Sequence, residues 1–198
     1  MQRRQFIAAT TLAAATDASA QSTDLPTCAY IRTADVVYEP TPLGVVETML
    51  EAAGVGAKDV VYDLGCGDGR IVVAAGRRGA SGVGIEIDPR LVEWAQANVL
   101  AEGVGSRVRI INADLYKTDL SPASVIALYI LPEMNRRLRP ILWRDLKVGS
   151  RVVANGFEVP GWTPDRVLEV PTRYRSVFLY TVKPEDKRAA QAAGENRS

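Results

Sequence analysis

The sequence predicts an α/β domain. Its core is a mostly parallel seven-stranded sheet with a terminal antiparallel strand, covered by helices on both faces as a three-layer sandwich. Three observations predict it. Short apolar runs of strand length alternate with helical periodicity from residue 41 to residue 182, the pattern of strands buried on both faces. One such run ends in Asp63 and passes through three alternate glycines into a helix. The last two β-rich runs, 167–170 and 177–182, lie too close together for a crossover helix and predict an antiparallel pair.

Each element follows from local chemistry. Thr41-Pro42 predicts a helix start, with Thr41 as N-cap and Pro42 at the first helical position. Leu43, Val46, Leu50 and Ala53 follow at helical spacing, and Gly54 stops the helix. Residues 60–64 read as a buried strand, 70–78 as a helix and 83–87 as the next strand. Asp88-Pro89 caps a helix that buries Leu91, Ala95 and Val99 and ends at Gly103. Strands are expected over 108–113, 125–130 and 151–157. Between the last two lies an amphipathic helix, 133–146, with Pro140 predicting a bend. Residues 21–37 read as a loosely ordered lead-in. Residues 183–198 are polar without apolar period and read as a disordered tail. The domain is therefore expected over 38–182.

Composition narrows the functions. The 198 residues carry 24 basic and 23 acidic side chains, for a net charge of +1, so no electrostatic footprint for nucleic acid or an anionic membrane is expected. The absence of His removes the commonest general base and metal ligand. With two cysteines, Cys28 and Cys66, neither a zinc cluster nor a disulfide framework is expected, although a Cys28–Cys66 pair would tie the lead-in to the glycine turn. Arg3, Arg4, Phe6, a mild apolar run over 7–15 and Ala18-Ser19-Ala20 resemble a twin-arginine export signal over 1–20. That run is too short to span a bilayer. The expected location is periplasmic, with a cytoplasmic protein bearing an N-terminal extension as the alternative.

The strongest motif is Asp63-Leu64-Gly65-Cys66-Gly67-Asp68-Gly69-Arg70. Glycine admits positive φ and close approach of a ligand to the main chain, and the helix start behind it offers unpaired N–H groups. The dinucleotide fingerprint wants a glycine where Arg70 stands. The acid-x-G-x-G-x-G pattern instead resembles the first motif of class I S-adenosylmethionine-dependent methyltransferases, whose fold is Rossmann-like. The resemblance follows element order over residues 36–182 and implies S-adenosyl-L-methionine as cofactor. It casts Asp63, Gly65, Cys66 and Gly67 as cofactor-binding, with Glu86 at the next strand end accepting both ribose hydroxyls. Asp114 would accept from the adenine amine, and Leu115 would pack on the ring. Tyr38-Glu39-Pro40-Thr41-Pro42, the glycine motif, Asp114-Leu115 and Asp119-Leu120-Ser121 are more narrowly similar to the ATP-synthase c-subunit lysine methyltransferases, and more remotely to the seven-strand histone lysine methyltransferases. That similarity implies that Tyr38 and Thr41 help close the cofactor pocket.

On the acceptor side, the fourth strand ends in Tyr129-Ile130-Leu131-Pro132. The Asn or Asp followed by Pro-Pro and an aromatic, as in base-methylating enzymes of the class, is absent, so no nucleic-acid acceptor is expected. The expected reaction is methyl transfer to an unidentified acceptor, a protein lysine or another amine or small molecule. A cofactor-binding protein without turnover and a nicotinamide-dependent oxidoreductase are the alternatives. Tyr129 is the catalytic candidate, with packing under the next helix as its other reading; Asp63 and Glu158 are further proton acceptors within reach in sequence. Phe157 and Trp162 read either as aromatics over the acceptor site or as a lid on the core. Arg136, Arg137, Arg139, Arg144 and Lys147 read as a solvated helix face, or as a docking surface for an acidic partner.

Overall fold

The computed structural model describes residues 38–171 and 176–195; the export-signal reading, Cys28 and the lead-in lie outside them. The described chain runs α1 (Leu43–Ala52), β1 (Val60–Leu64), α2 (Arg70–Arg77), β2 (Ser81–Glu86), α3 (Pro89–Ala101), β3 (Val108–Asn112), β4 (Val125–Leu128), α4 (Pro132–Asp145), β5 (Arg151–Asn155), β6 (Arg166–Glu169), β7 (Ser176–Thr181) and α5 (Pro184–Glu195). The seven strands form one sheet in the order β3-β2-β1-β4-β5-β7-β6. Pairing is parallel from β3 through β5, and antiparallel for β5–β7 and β6–β7. The α/β class and the terminal antiparallel strand are as the sequence predicts.

The period-two alternation of β1 buries Tyr62 and Leu64 in one core layer, with β4, α4 and β5 residues, and Val61 in the other, with α1 and α2 residues. The chain steps outward from β1 to β2 to β3, then returns to place β4 on the other side of β1, with Leu64 paired to Leu128. This reversal opens a crevice beyond the strand ends, where open α/β sheets bind ligands.

Asp88 caps α3 as expected: its carboxylate accepts from Arg90 N at 2.9 Å. The start of α1 is shifted from the expectation. Pro42 is the N-cap and makes no side-chain cap bond, Thr41 lies outside the helix and is buried, and Leu43 is 68% exposed. The buried face is Val45, Val46, Met49, Leu50 and Ala53, which pack against α2 and the sheet. Pro140 sits inside α4, which continues to Asp145.

The expected disordered tail over 183–198 is corrected over Pro184–Glu195 by α5; residues 196–198 lie outside the described residues. Pro184 starts that helix, Glu185 and Asp186 occupy its first turn, and the Asp186 carboxylate accepts from Lys183 N at 2.8 Å. Acids in a first turn offset the positive end of the helix dipole. Lys187 Nζ donates to Arg144 O (2.6 Å) and Leu146 O (2.8 Å), satisfying carbonyls at the end of α4 that have no intrahelical partner. The helix is held by docking on α4, a tertiary term that a polar sequence does not announce.

Candidate active site

A cavity of about 280 Å³ opens at the carboxyl ends of β1, β2 and β4. The glycine turn forms its floor. Gly65, Gly67 and Gly69 have φ of +83°, +55° and +78°, conformations that a side chain disfavours. The amides of Gly65 and Cys66 donate to Ile85 O at 2.9 and 3.0 Å, and Gly69 N donates to Cys66 O at 2.9 Å. A Cβ on Gly67 would collide with the ring of Tyr38, so residue 67 has no room for a side chain beneath the segment before α1.

Glu86 joins the turn to the exit of β2. Its Oε2 accepts from Gly67 N at 2.9 Å, and its Oε1 accepts from Ile87 N at 2.8 Å and Asp88 N at 3.0 Å. An ionised carboxylate has about four acceptor sites, so three backbone bonds leave it about one. Glu86 borders the cavity while 7% exposed, which suits one hydroxyl better than the two the sequence suggests.

Asp63 borders the same cavity, is 3% exposed, and has no hydrogen-bond partner among the described residues. Burial, then the neighbouring Asp68 and Glu86, push its carboxyl up to about 8. Asp68 is also buried but is paired: Arg70 Nη2 lies 2.6 Å from its Oδ2. Arg70 Nη1 reaches back to Thr41 O at 2.9 Å, and Asn98 Nδ2 donates to Asp68 O at 2.9 Å. Arg70, which replaces a fingerprint glycine, thus ties residues 38–41 to the turn, a role the sequence does not expose. Tyr38 completes the strap, edge-on to Trp94 at 5.9 Å. Burial and Asp68 raise its hydroxyl above the usual phenol range. Tyr38 and Thr41 both border the cavity.

Cys66 packs against Gly84, where a Cβ would lie 2.6 Å from Sγ. It has no disulfide partner among the described residues, and burial pushes its ionisation well up. Asp114, Leu115 and Tyr116 form another wall after β3. Asp114 Oδ1 accepts from Tyr116 N at 2.9 Å, and Lys117 Nζ lies 3.7 Å from Asp114 Oδ2.

Beyond β4, Tyr129, Ile130, Met134 and Arg137 border the cavity. The Tyr129 ring lies parallel to Phe157 at 6.5 Å. Glu158 is exposed and away from the cavity, so it does not join the candidate proton acceptors. Trp162 packs in the core against Trp143 and Tyr180, whereas Phe157 lies beside the cavity residue Tyr129. Of the five basic residues read as a solvated face, Arg136, Arg137, Arg144 and Lys147 are exposed and Arg139 is half-buried. Arg139 donates to Pro160 O and lies over Trp143, Arg136 pairs with Glu133, and Arg144 pairs with Asp145. Arg137 is the one of the five that faces the cavity. Helical spacing alone does not single it out.

Residues 63–166 match the model of the ANTKMT methyltransferase domain. The chain is 40% identical over 151 residues to a protein-lysine N-methyltransferase of Saccharolobus islandicus, covering 74% of this chain and 94% of that protein. It is 39% identical over 107 residues to the human lysine N-methyltransferase of the ATP-synthase c-subunit, covering 54% of this chain and 46% of that enzyme. A crystal structure described as an RNA methyltransferase from Salinibacter ruber with S-adenosyl-L-homocysteine matches at 46% identity and a TM-score of 0.72, covering 74% of this chain and 95% of that one.

Proposed function

The chain belongs to the ANTKMT methyltransferase domain family and is an S-adenosylmethionine-dependent methyltransferase; from that premise we propose that its acceptor is the side-chain amine of a protein lysine. The observation that carries the reading is the match over 94% of the Saccharolobus protein-lysine N-methyltransferase. Two features support it. The β4 exit, Tyr129 to Pro132, lacks the Asn/Asp-Pro-Pro pattern suited to base amines, and the net charge of +1 provides no broad phosphate-binding field.

The cavity fits the cofactor. Gly65, with no side chain, borders the cavity through main-chain atoms, and Asp63 is a buried acid without a partner among the described residues. Asp63 and the glycine turn would hold the cationic methionyl end, Glu86 a ribose hydroxyl, and Asp114 with Leu115 the adenine. When bound, S-adenosylmethionine supplies a sulfonium methyl that is already electrophilic.

The chain's own task is then placement and proton handling. Holding two reactants in line contributes about 7–11 kcal/mol at best. Tyr38, Arg70 and Thr41 fasten the strap over the turn and exclude water from it. A lysine attacks only as the neutral amine, so an ammonium must first lose a proton. That proton passes to water, and Tyr129, steadied by Phe157 on the cavity wall, would accept a hydrogen bond from the neutral amine at its phenolic oxygen and orient the nitrogen lone pair.

The test is incubation of labelled cofactor and purified enzyme with lysate from a strain lacking the protein. Label that resists ribonuclease and yields methyllysine on hydrolysis is expected; label lost to ribonuclease favours the RNA reading that the Salinibacter relative raises. Export by residues 1–20 belongs to the proposal and rests on Arg3, Arg4 and Ala18-Ser19-Ala20. Cell fractionation checks it, with the protein in the periplasmic fraction as the expected result.

A further inference from the structure

The charges around the cavity are mostly acidic. Asp63, Asp68 and Glu86 are buried at its floor, and the one guanidinium there, that of Arg70, is committed to Asp68 and Thr41 O. Arg137 stands exposed on the wall built by α4. Its guanidinium lies 3.8 Å from the centroid of the Tyr116 ring and has no carboxylate partner among the described residues. An aromatic shelf under a guanidinium fixes its plane and leaves the N–H donors along its edge pointing outward, a geometry suited to a planar carboxylate. Met134, one turn earlier on the same helix face, also borders the cavity. The helix that carries both follows directly on the β4 exit with Tyr129. Glu39, exposed, and Asp114, half-buried, border it as well, so Arg137 is the one exposed cation on a cavity whose other charges, Arg70 apart, are acids, a distribution that suits a cation entering with an anion held at α4.

We propose that Arg137 is a specificity residue that binds the carboxylate of an aspartate or glutamate flanking the methylated lysine. The inference rests on the lysine reading above. It assigns to the acceptor, rather than to the cofactor, the one guanidinium at the cavity without an ion pair among the described residues. Because the group is exposed, solvent and salt weaken the contact, and a preference of about five- to tenfold is expected from one aligned charge-assisted pair.

The experiment uses the full-length enzyme and a nonapeptide library with a fixed central lysine, each other position set in turn to Glu, Gln or Arg. Wild type is expected to prefer Glu over Gln at one or two positions, through KM and with kcat little changed. Arg137→Gln is expected to level Glu and Gln at those positions, and Arg137→Glu to shift the preference to Arg. The Kd of the Arg137→Gln protein for S-adenosylmethionine and its Tm, measured alongside, are expected to match wild type. Equal use of Glu and Gln peptides by wild type overturns the inference while leaving the lysine reading intact. So does a Glu preference that survives in Arg137→Gln. Loss of cofactor affinity in that variant also overturns it, placing the guanidinium on the cofactor. Transfer to RNA with none to any peptide overturns the lysine reading, and this inference with it.

Discussion

Replacing Asp63 by Asn tests the electrostatics of the cavity floor. The unfolded chain ionises this carboxyl near 3.8, whereas the folded protein holds the proton up to about 8, through burial first and then Asp68 and Glu86. Between those two pH values the native state binds a proton that the unfolded state has lost, so stability falls as pH rises. The slope is roughly 1.4 kcal/mol per pH unit, and the fall levels off above about 8. From pH 5 to pH 7 the wild type should lose about 3 kcal/mol that Asp63→Asn keeps. At this chain length that is a divergence of about 5–10 °C in Tm. Denaturant melts of both proteins at each pH, with the difference between them as the readout, remove the contributions of groups they share. Parallel curves would mean that Asp63 is ionised throughout and that the floor is more polar than its burial and lack of partners imply. A second consequence follows from the same proton. A cationic ligand favours the ionised form, so the wild-type Kd for S-adenosylmethionine should tighten as pH approaches about 8, and the Asp63→Asn value should not.

Gly67→Ala should cost about 1–3 kcal/mol in stability, because φ of +55° is strained with a side chain and Tyr38 occupies the space of the methyl; thermal melts and titration with cofactor measure both losses. Glu86→Gln keeps the shape but removes the charge that accepts three backbone N–H groups, and a loss of cofactor affinity of about 10–100-fold is expected by calorimetry. Tyr129→Phe keeps the ring against Phe157 and should lower kcat more than it raises KM; unchanged turnover in the label-transfer assay would remove the phenol from the mechanism.

The parts of the site read correctly from sequence are those where one residue type answers one backbone demand. Three glycines at alternate positions announce three positive φ values, and Asp88-Pro89 announces a helix start. Placing Glu86 and Asp114 at the cavity follows from strand ends counted along a parallel sheet. The parts misread depend on what packs from elsewhere in the chain. Helix α5 needs the α4 carbonyls that Lys187 satisfies, although Pro184-Glu185-Asp186 is a legible start signal. Leu43 fits the helical period yet faces solvent, since Val45 and Met49 fill the inner face instead. Trp162 and Glu158 lie near Phe157 in sequence, but the loop after β5 turns one into the core and the other outward.

The same division bears on acceptor choice. Relatives described as a protein-lysine and as an RNA methyltransferase each align with this chain over nearly their whole length. In the proposed binding mode the methyl donor sits on the floor: the glycine turn, Glu86 holding it to β2, and the acid after β3. Those residues answer to backbone geometry and cannot distinguish an amine on a peptide from one on a base. Discrimination must therefore sit on the wall made by Tyr116, Tyr129, Met134 and Arg137. There, side chains pack on one another: Arg137 on the ring of Tyr116, Tyr129 beside Phe157. A substitution on that wall can redirect the enzyme without disturbing the fold, whereas one on the floor removes cofactor and stability together.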